Sequence, residues 1–284
     1  MMNIIRADLY RIFRSKGFYI TLAAFFALIA FLNVGGTFYI AGPTYGMERV
    51  VLDDGTVIFS PPEAVPEIID ETPAEFAGIS EDFAFIIIPF LLPFIAFVAS
   101  SDFSANTAKN ALAGGVPRVK FYFSKLILAC VFCVLTVFFG IALTSADFMV
   151  QLNREAGGGA FNTYRMEVMG QILRIFVAQL FMYIAVTCIG IFFAFATQRT
   201  AAANSAYLGF LFVPTVLLSM LYLSSPDSAI IETLFDYDII MNIRMLSNIG
   251  AETGDIMRAF AIGGFYMLTS TICGILLFKR SEIK

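Results

Sequence analysis

The chain has 284 residues, 59% of them hydrophobic and only 14% charged, with 32 phenylalanines, no histidine and a formal net charge of −4. A soluble domain carries about 25% charged residues, so an ordinary water-soluble fold is excluded. The missing histidines also remove the commonest general base and a frequent metal ligand.

Residues 2–16 come first. Met2, Ile5, Leu9, Ile12 and Phe13 recur at helical spacing, with Asn3, Arg6, Arg11 and Arg14 assigned to the other side and Lys16 at the end. A basic amphipathic helix of this kind lies in the membrane interface. Six charge-free windows follow: Phe18 to Val34, Phe83 to Ser101, Leu126 to Ala146, Ile175 to Gln198, Ala201 to Ser225 and Ala259 to Phe278. Crossing a hydrocarbon layer of ~30 Å takes roughly 20 helical residues. The expectation is an all-α integral membrane protein of one domain, with six spans near 18–36, 83–101, 121–146, 172–197, 203–225 and 259–278. Continuous apolar runs exclude a β-barrel, whose strands alternate over about ten residues. Five further windows after the first exclude a removable signal peptide.

The segments between the spans differ in charge. Residues 1–17, 102–125, 199–200 and 279–284 hold 12 Lys/Arg and three acids; residues 35–82, 147–174 and 226–258 hold six and 19. Retention of Lys and Arg on the cytoplasmic side places the first set, including both ends of the sequence, inside. The outside loops are then 37–82, 147–171 and 226–258.

The acidic loop 37–82 contains Asp53-Asp54-Gly55-Thr56 between two β-prone runs, a hairpin turn signal. Pro89 and Pro93 in the second window and Pro214 in the fifth predict kinks. In 147–171, Gly157-Gly158-Gly159 reads as a flexible spot, and Tyr164 to Arg174 as a helical lead into the fourth span. In 226–258, Ile239, Ile240, Ile243, Met245, Leu246 and Ile249 predict a short interfacial or re-entrant helix. Cys130, Cys133, Cys188 and Cys273 all fall in spans and read as packing residues rather than as a metal or disulfide framework. No Asp, Glu, Lys or Arg lies mid-span to form an ion relay, and no G-x-x-x-x-G-K-[ST] gives the chain its own ATPase.

The segment 102–120 is small-residue-rich and basic. Ser101 to Leu112 predicts one short helix, ended by Gly114-Gly115-Val116-Pro117. Arg118, Lys120 and Lys125 are expected at the lipid headgroups, where they fix the depth of the third span. Asp102 is expected to pair with a base of the interfacial helix or of a partner.

Asp102, Asn106-Thr107, Lys109, Arg118 and Tyr122-Phe123-Ser124-Lys125 together resemble the cytoplasmic loop between the second and third spans of ABC-2 type transporter permeases. Asp102 stands where that family usually has Glu, and Asn106-Thr107 where it has Gly-Thr. The basic interfacial helix, six spans and enlarged first outer loop fit the same resemblance over the whole chain. It implies the membrane-spanning subunit of an exporter in a bacterial plasma membrane, with no cofactor of its own. ATP and Mg would sit on two separate ATPase subunits. A second copy or a related permease would complete the path, and nucleic acid would have no part. Asp102, Asn106, Thr107, Lys109, Arg118 and Lys125 would form the coupling segment, with Arg6, Arg11, Arg14 and Lys16 on the interfacial helix. The substrate would be an amphipathic or cationic peptide, a drug or a lipid-like molecule. The alternative is a non-transporting membrane interaction, immunity or assembly protein.

Overall fold

A computed structural model describes residues 2–35, 48–51, 57–60, 87–104, 107–224, 228–247 and 253–281. Helix α1 (Met2–Arg14) meets α2 (Lys16–Gly35) at 70°. A helix lying in the interface and entering a span must make such an elbow. Strands β1 (Glu48–Val51) and β2 (Val57–Ser60) pair antiparallel, Val51 opposite Val57 and Glu48 opposite Ser60. The hairpin expected around Asp53-Asp54-Gly55-Thr56 is therefore formed, and its turn lies outside the described residues.

Helix α3 (Ile87–Phe103) contains both Pro89 and Pro93 and a π-helical turn over Ala96–Ser100. It is bent 57° from the short α4 (Thr107–Ala113). The expected single helix from Ser101 to Leu112 is thus two pieces. Helix α4 ends as its glycines predict. Gly115 adopts φ +87°, Val116 N–H donates to Ala111 O at 3.2 Å, and Gly115 N–H donates to Leu112 O at 3.0 Å. This is a Schellman cap, and its left-handed position favours a residue without Cβ.

Helix α5 (Arg118–Thr197) is helical throughout, including 147–171, where a loop was expected. Helix-forming Met, Gln, Leu, Arg, Glu and Ala flank the glycine triplet and sustain the backbone conformation there. It is not a straight rod. Phe138 and Phe176 rings lie 6.1 Å apart, whereas 38 residues of straight helix extend roughly 57 Å. The Tyr122 and Phe195 rings lie 4.7 Å apart. The midpoints of these two pairs are 157 and 158.5, so the chain doubles back near Gly157-Gly158-Gly159.

Helix α6 (Thr200–Ser224), α7 (Ala229–Tyr237), α8 (Ile239–Met245) and α9 (Thr253–Arg280) complete the bundle. Four stretches are long and apolar enough to cross a membrane: Arg118–Leu143, Leu173–Thr197, Thr200–Ser224 and Thr253–Arg280. The count reaches six when the bent pairs α1–α2 and α3–α4 each provide one. Leu173–Thr197 is the central element, 67% buried against 17% for each of the last two. The outer helices instead present apolar stripes, such as Phe265, Leu268, Ile272 and Leu276 on α9, whose i, i+3, i+4 spacing suits contact with lipid tails.

Helices pack closest at glycines. A Cβ on Gly274 of α9 would lie 2.5 Å from Tyr122 Oη, and one on Gly190 would collide with Ile95. Small residues that let backbones approach are the usual means of packing helices in lipid.

Of the helix expected from Ile239 to Ile249, α8 forms Ile239–Met245 and Ile249 lies outside the described residues; α7 precedes it, divided from it at Asp238. All seven residues of α8 are buried. Asp238 Oδ1 accepts from the amides of Ile240 and Met241, each at 2.9 Å, and Oδ2 accepts from the Thr215 hydroxyl at 2.9 Å. Gln179 Nε2 donates to Ile243 O at 3.2 Å and to Ser247 Oγ at 2.5 Å. Thr215 is nine residues before the end of α6, a depth of roughly 14 Å along the helix. Helix α8 therefore folds back into the bundle. Burial pushes the Asp238 carboxyl above its ordinary value, opposed by these hydrogen bonds.

Candidate functional site: a buried charge cluster beneath a short surface helix

The four basic segments of the sequence gather at one end of the bundle. Phe103, Phe121, Phe195 and Phe278 fix that end: Phe195 lies 4.7 Å from Phe278 and 5.3 Å from Phe103, and Phe121 lies 6.1 Å from Phe278. The start of α5, the turn between α5 and α6, the end of α3 and the end of α9 are thereby held together.

Beneath this surface sits a cluster of four charged side chains. Lys125 and Asp102 are each 1% exposed, and Asp8 is also buried. Lys125 Nζ pairs with Asp102 Oδ2 and with Asp8 Oδ2, the latter at 2.6 Å. Arg11 Nη1 pairs with Asp102 Oδ1, and Arg11 Nη2 lies 3.4 Å from Asp8 Oδ1 and donates to Phe97 O at 3.3 Å. The Thr107 hydroxyl donates to Asp102 Oδ1 at 3.1 Å. Lys125 also stands 5.0 Å over the Phe121 ring. Two carboxylates and two cations cancel, and this neutrality lets them be buried together. Removing a single partner leaves an uncompensated charge in a low dielectric. Burial pushes the Asp8 carboxyl up, and the facing Lys125 pulls it back down.

The cluster joins α1, α3, α4 and α5. The expectation that Asp102 pairs with a base of the interfacial helix is met by Arg11. Two placements differ from expectation. Arg11 does not share the outward polar side of α1 but reaches inward to Asp8 and Asp102. Lys125 does not face outward but is buried in the protein, where two carboxylates compensate its charge. Asp8 was missed by the sequence reading. Its signal was an acid among the apolar positions 5, 9 and 12, which face the core.

The other expected residues separate. Thr107 touches the cluster, whereas Lys109 is exposed on α4 beside Asn110, with Ala108 buried beneath. Arg118 Nη1 donates to the carbonyls of Phe278, Lys279 and Ser281 at 2.7, 2.9 and 2.8 Å. A cation there satisfies carbonyls left open at a helix C-terminus and complements the helix dipole. Arg6, Arg14 and Lys16 are exposed on the elbow, and Asn106 lies outside the described residues. Among the described residues no group of three His, Cys, Asp or Glu side chains is placed to hold a metal ion, and the four cysteines are free thiols.

The arrangement connects an exposed short helix, through the Thr107 hydrogen bond and the ion pairs of Asp102, to the interfacial helix and the core. No protein-family model matches the sequence, and no curated protein matches it.

Proposed function

We propose that this chain is the membrane-spanning subunit of an ATP-driven exporter in a bacterial plasma membrane. In this reading six spans cross the bilayer, the charge-cluster end faces the cytoplasm, and β1–β2 and the fold-back of α5 face outside. Helix α4 docks on a separate ATPase subunit, which carries the ATP and Mg. Two such ATPases and a second permease complete the assembly. An amphipathic or cationic peptide, a drug or a lipid-like molecule is the cargo.

The observation that supports this most is the attachment of α4. Its outward residues Thr107, Lys109 and Asn110 are exposed, yet Thr107 is hydrogen-bonded to Asp102, which is paired with both Arg11 and Lys125. A displacement of α4 is thereby transmitted to α1, α3 and α5 together. The resemblance of segment 102–125 to ABC-2 permease loops supports the same reading.

The test is purification of the tagged protein from its native membrane in mild detergent, with mass spectrometry of what accompanies it. A stoichiometric P-loop ATPase that is lost on Lys109→Glu, with the fold retained, supports the proposal. Recovery of the chain alone, also with added nucleotide, overturns it in favour of a non-transporting membrane protein.

A further inference from the structure

The two acids at the cluster end among the described residues, Asp8 and Asp102, are both buried and paired with Arg11 and Lys125. The surface of that end therefore displays the exposed cations Arg6, Arg14, Lys16, Lys109, Lys120, Arg199, Lys279 and Arg280, with no exposed acid among the described residues. Among the described residues of that end, folding has taken the anions out of the surface and left the positive charge unopposed.

One part of this surface combines charge with apolar contact. Positions 6, 10, 13 and 14 share the outward face of α1, since residues three and four apart are neighbours on a helix. Tyr10 is 66% and Phe13 51% exposed, while Ile5, Leu9 and Ile12 face the core. Arg14 Nη1 donates to Tyr10 Oη at 2.7 Å, and its guanidinium lies 5.9 Å from the ring centroid, so the cation is held beside the aromatic ring. Lys16, Tyr19 and Ile20 extend the patch around the elbow, all three exposed. The 70° bend sets α1 nearly across the axis of α2, so this face lies along the membrane surface when α2 crosses it. Aromatic rings suit the boundary between headgroups and acyl chains, and guanidinium forks match phosphate oxygens.

We infer that the outward face of α1 binds the headgroup of an anionic phospholipid from the surrounding leaflet. Arg6, Arg14 and Lys16 contact the phosphate, and Tyr10 and Phe13 contact the glycerol and upper acyl chain. The inference does not depend on the transport reading: it needs only the membrane and the exposed cations.

The experiment titrates the purified full chain, in detergent micelles, with phosphatidylglycerol or phosphatidylcholine of the same acyl chains and counts bound lipid by native mass spectrometry. Phosphatidylglycerol is expected to be retained in preference to phosphatidylcholine. The triple variant R6Q/R14Q/K16Q should weaken that retention roughly a hundredfold, as three cations contribute comparable steps at a membrane surface. The variant K109Q/K279Q, with as exposed a charge loss elsewhere on the same end, should not. R14Q alone reads the same site with a smaller loss if the triple variant fails to fold. Equal retention of the two lipids, an equal loss in K109Q/K279Q, or no loss in R14Q and the triple variant overturns the site. Displacement of the lipid by millimolar inorganic phosphate, or its replacement by a co-purifying acidic protein, also overturns it as a lipid site.

Discussion

Lys125 illustrates how one side chain can hold several elements. Its ammonium is paired with Asp8 of α1 and Asp102 of α3, and it is almost fully buried. Lys125→Ala leaves two carboxylates facing Arg11 alone, and should cost about 3–5 kcal/mol, the range for breaking a buried ion pair. Asp8→Asn should cost less, because Lys125 keeps Asp102. Unfolding of the two variants in mixed micelles orders them, and an Asp8→Asn loss as large as that of Lys125→Ala contradicts this assignment. Asp8 also sets a pH dependence. Burial pushes its carboxyl above the ordinary value near 3.8. Between the ordinary and the raised value the folded chain holds a proton that the unfolded chain has released. Stability from this group is therefore complete below the ordinary value and falls as pH rises through that window. Stability measured across a pH series should show this component in the parent and lose it in Asp8→Asn. A component of opposite slope is incompatible with the buried carboxyl.

The helices themselves differ in how much their contacts tolerate. Gly274 of α9 is pressed against Tyr122, which is fully buried. Gly274→Ala forces a shift of that ring or of α9, and should destabilise by about 1–3 kcal/mol, as overpacking does. Gly209 of α6 has no atom near the position of an added Cβ. Gly209→Ala should be stabilising by about 0.5–1 kcal/mol, since glycine is poor in a helix interior. Thermal unfolding of the pair in the same detergent separates close packing from helix propensity: both changes of the same sign would contradict the contact at Gly274. The π turn Ala96–Ser100 sits three residues beyond Pro93, with Ser101 N–H reaching back to Ala96 O. Phe97 O accepts from the Ser101 hydroxyl at 2.8 Å as well as from Arg11, so side chains support the backbone where the regular ladder is interrupted.

For the molecule as a whole, the fold-back of α5 decides which helices meet. The arms from Arg118 and toward Thr197 meet at Tyr122–Phe195 and Phe138–Phe176, and α9 packs across both at Gly263 and Gly274. In a cysteine-free background, Phe138→Cys and Phe176→Cys should be joined by a short bifunctional thiol reagent within one chain. A continuous straight helix would keep them roughly 57 Å apart, and absence of the intramolecular product would exclude the doubled-back form. The gathering of Lys109, Arg199 and Arg280 at one end makes a parallel prediction. Single cysteines at these positions should react alike with a membrane-impermeant reagent in intact cells, all three labelled or all three protected. Labelling of only one or two of them would separate ends that the phenylalanine contacts hold together.

Much was legible in the sequence because one physical cause dominates it. Hydrocarbon accepts only helices and closed barrels, whose backbones are paired internally, so the apolar windows, the basic elbow, the hairpin after α2 and the glycine end of α4 could all be read from local pattern. The preference of Lys and Arg for one set of loops likewise separated the segments that the fold brings to one end. Asp8 and Lys125 could not be placed in that way. Each taken alone is a charge near a membrane surface, and only the packing of α1 against α3 and α5 shows that they neutralise each other inside. That Arg118 also binds the C-terminal carbonyls of α9 likewise follows only from the packing of α9 against the start of α5. The polar composition of 147–171 suggested a loop, whereas the backbone there is helical on both sides of its glycines. Local composition determined which segments are apolar enough to enter a membrane, because solvation acts on each segment separately. The tertiary structure decided which charges are buried, because burial of an ion depends on a partner far away in the chain.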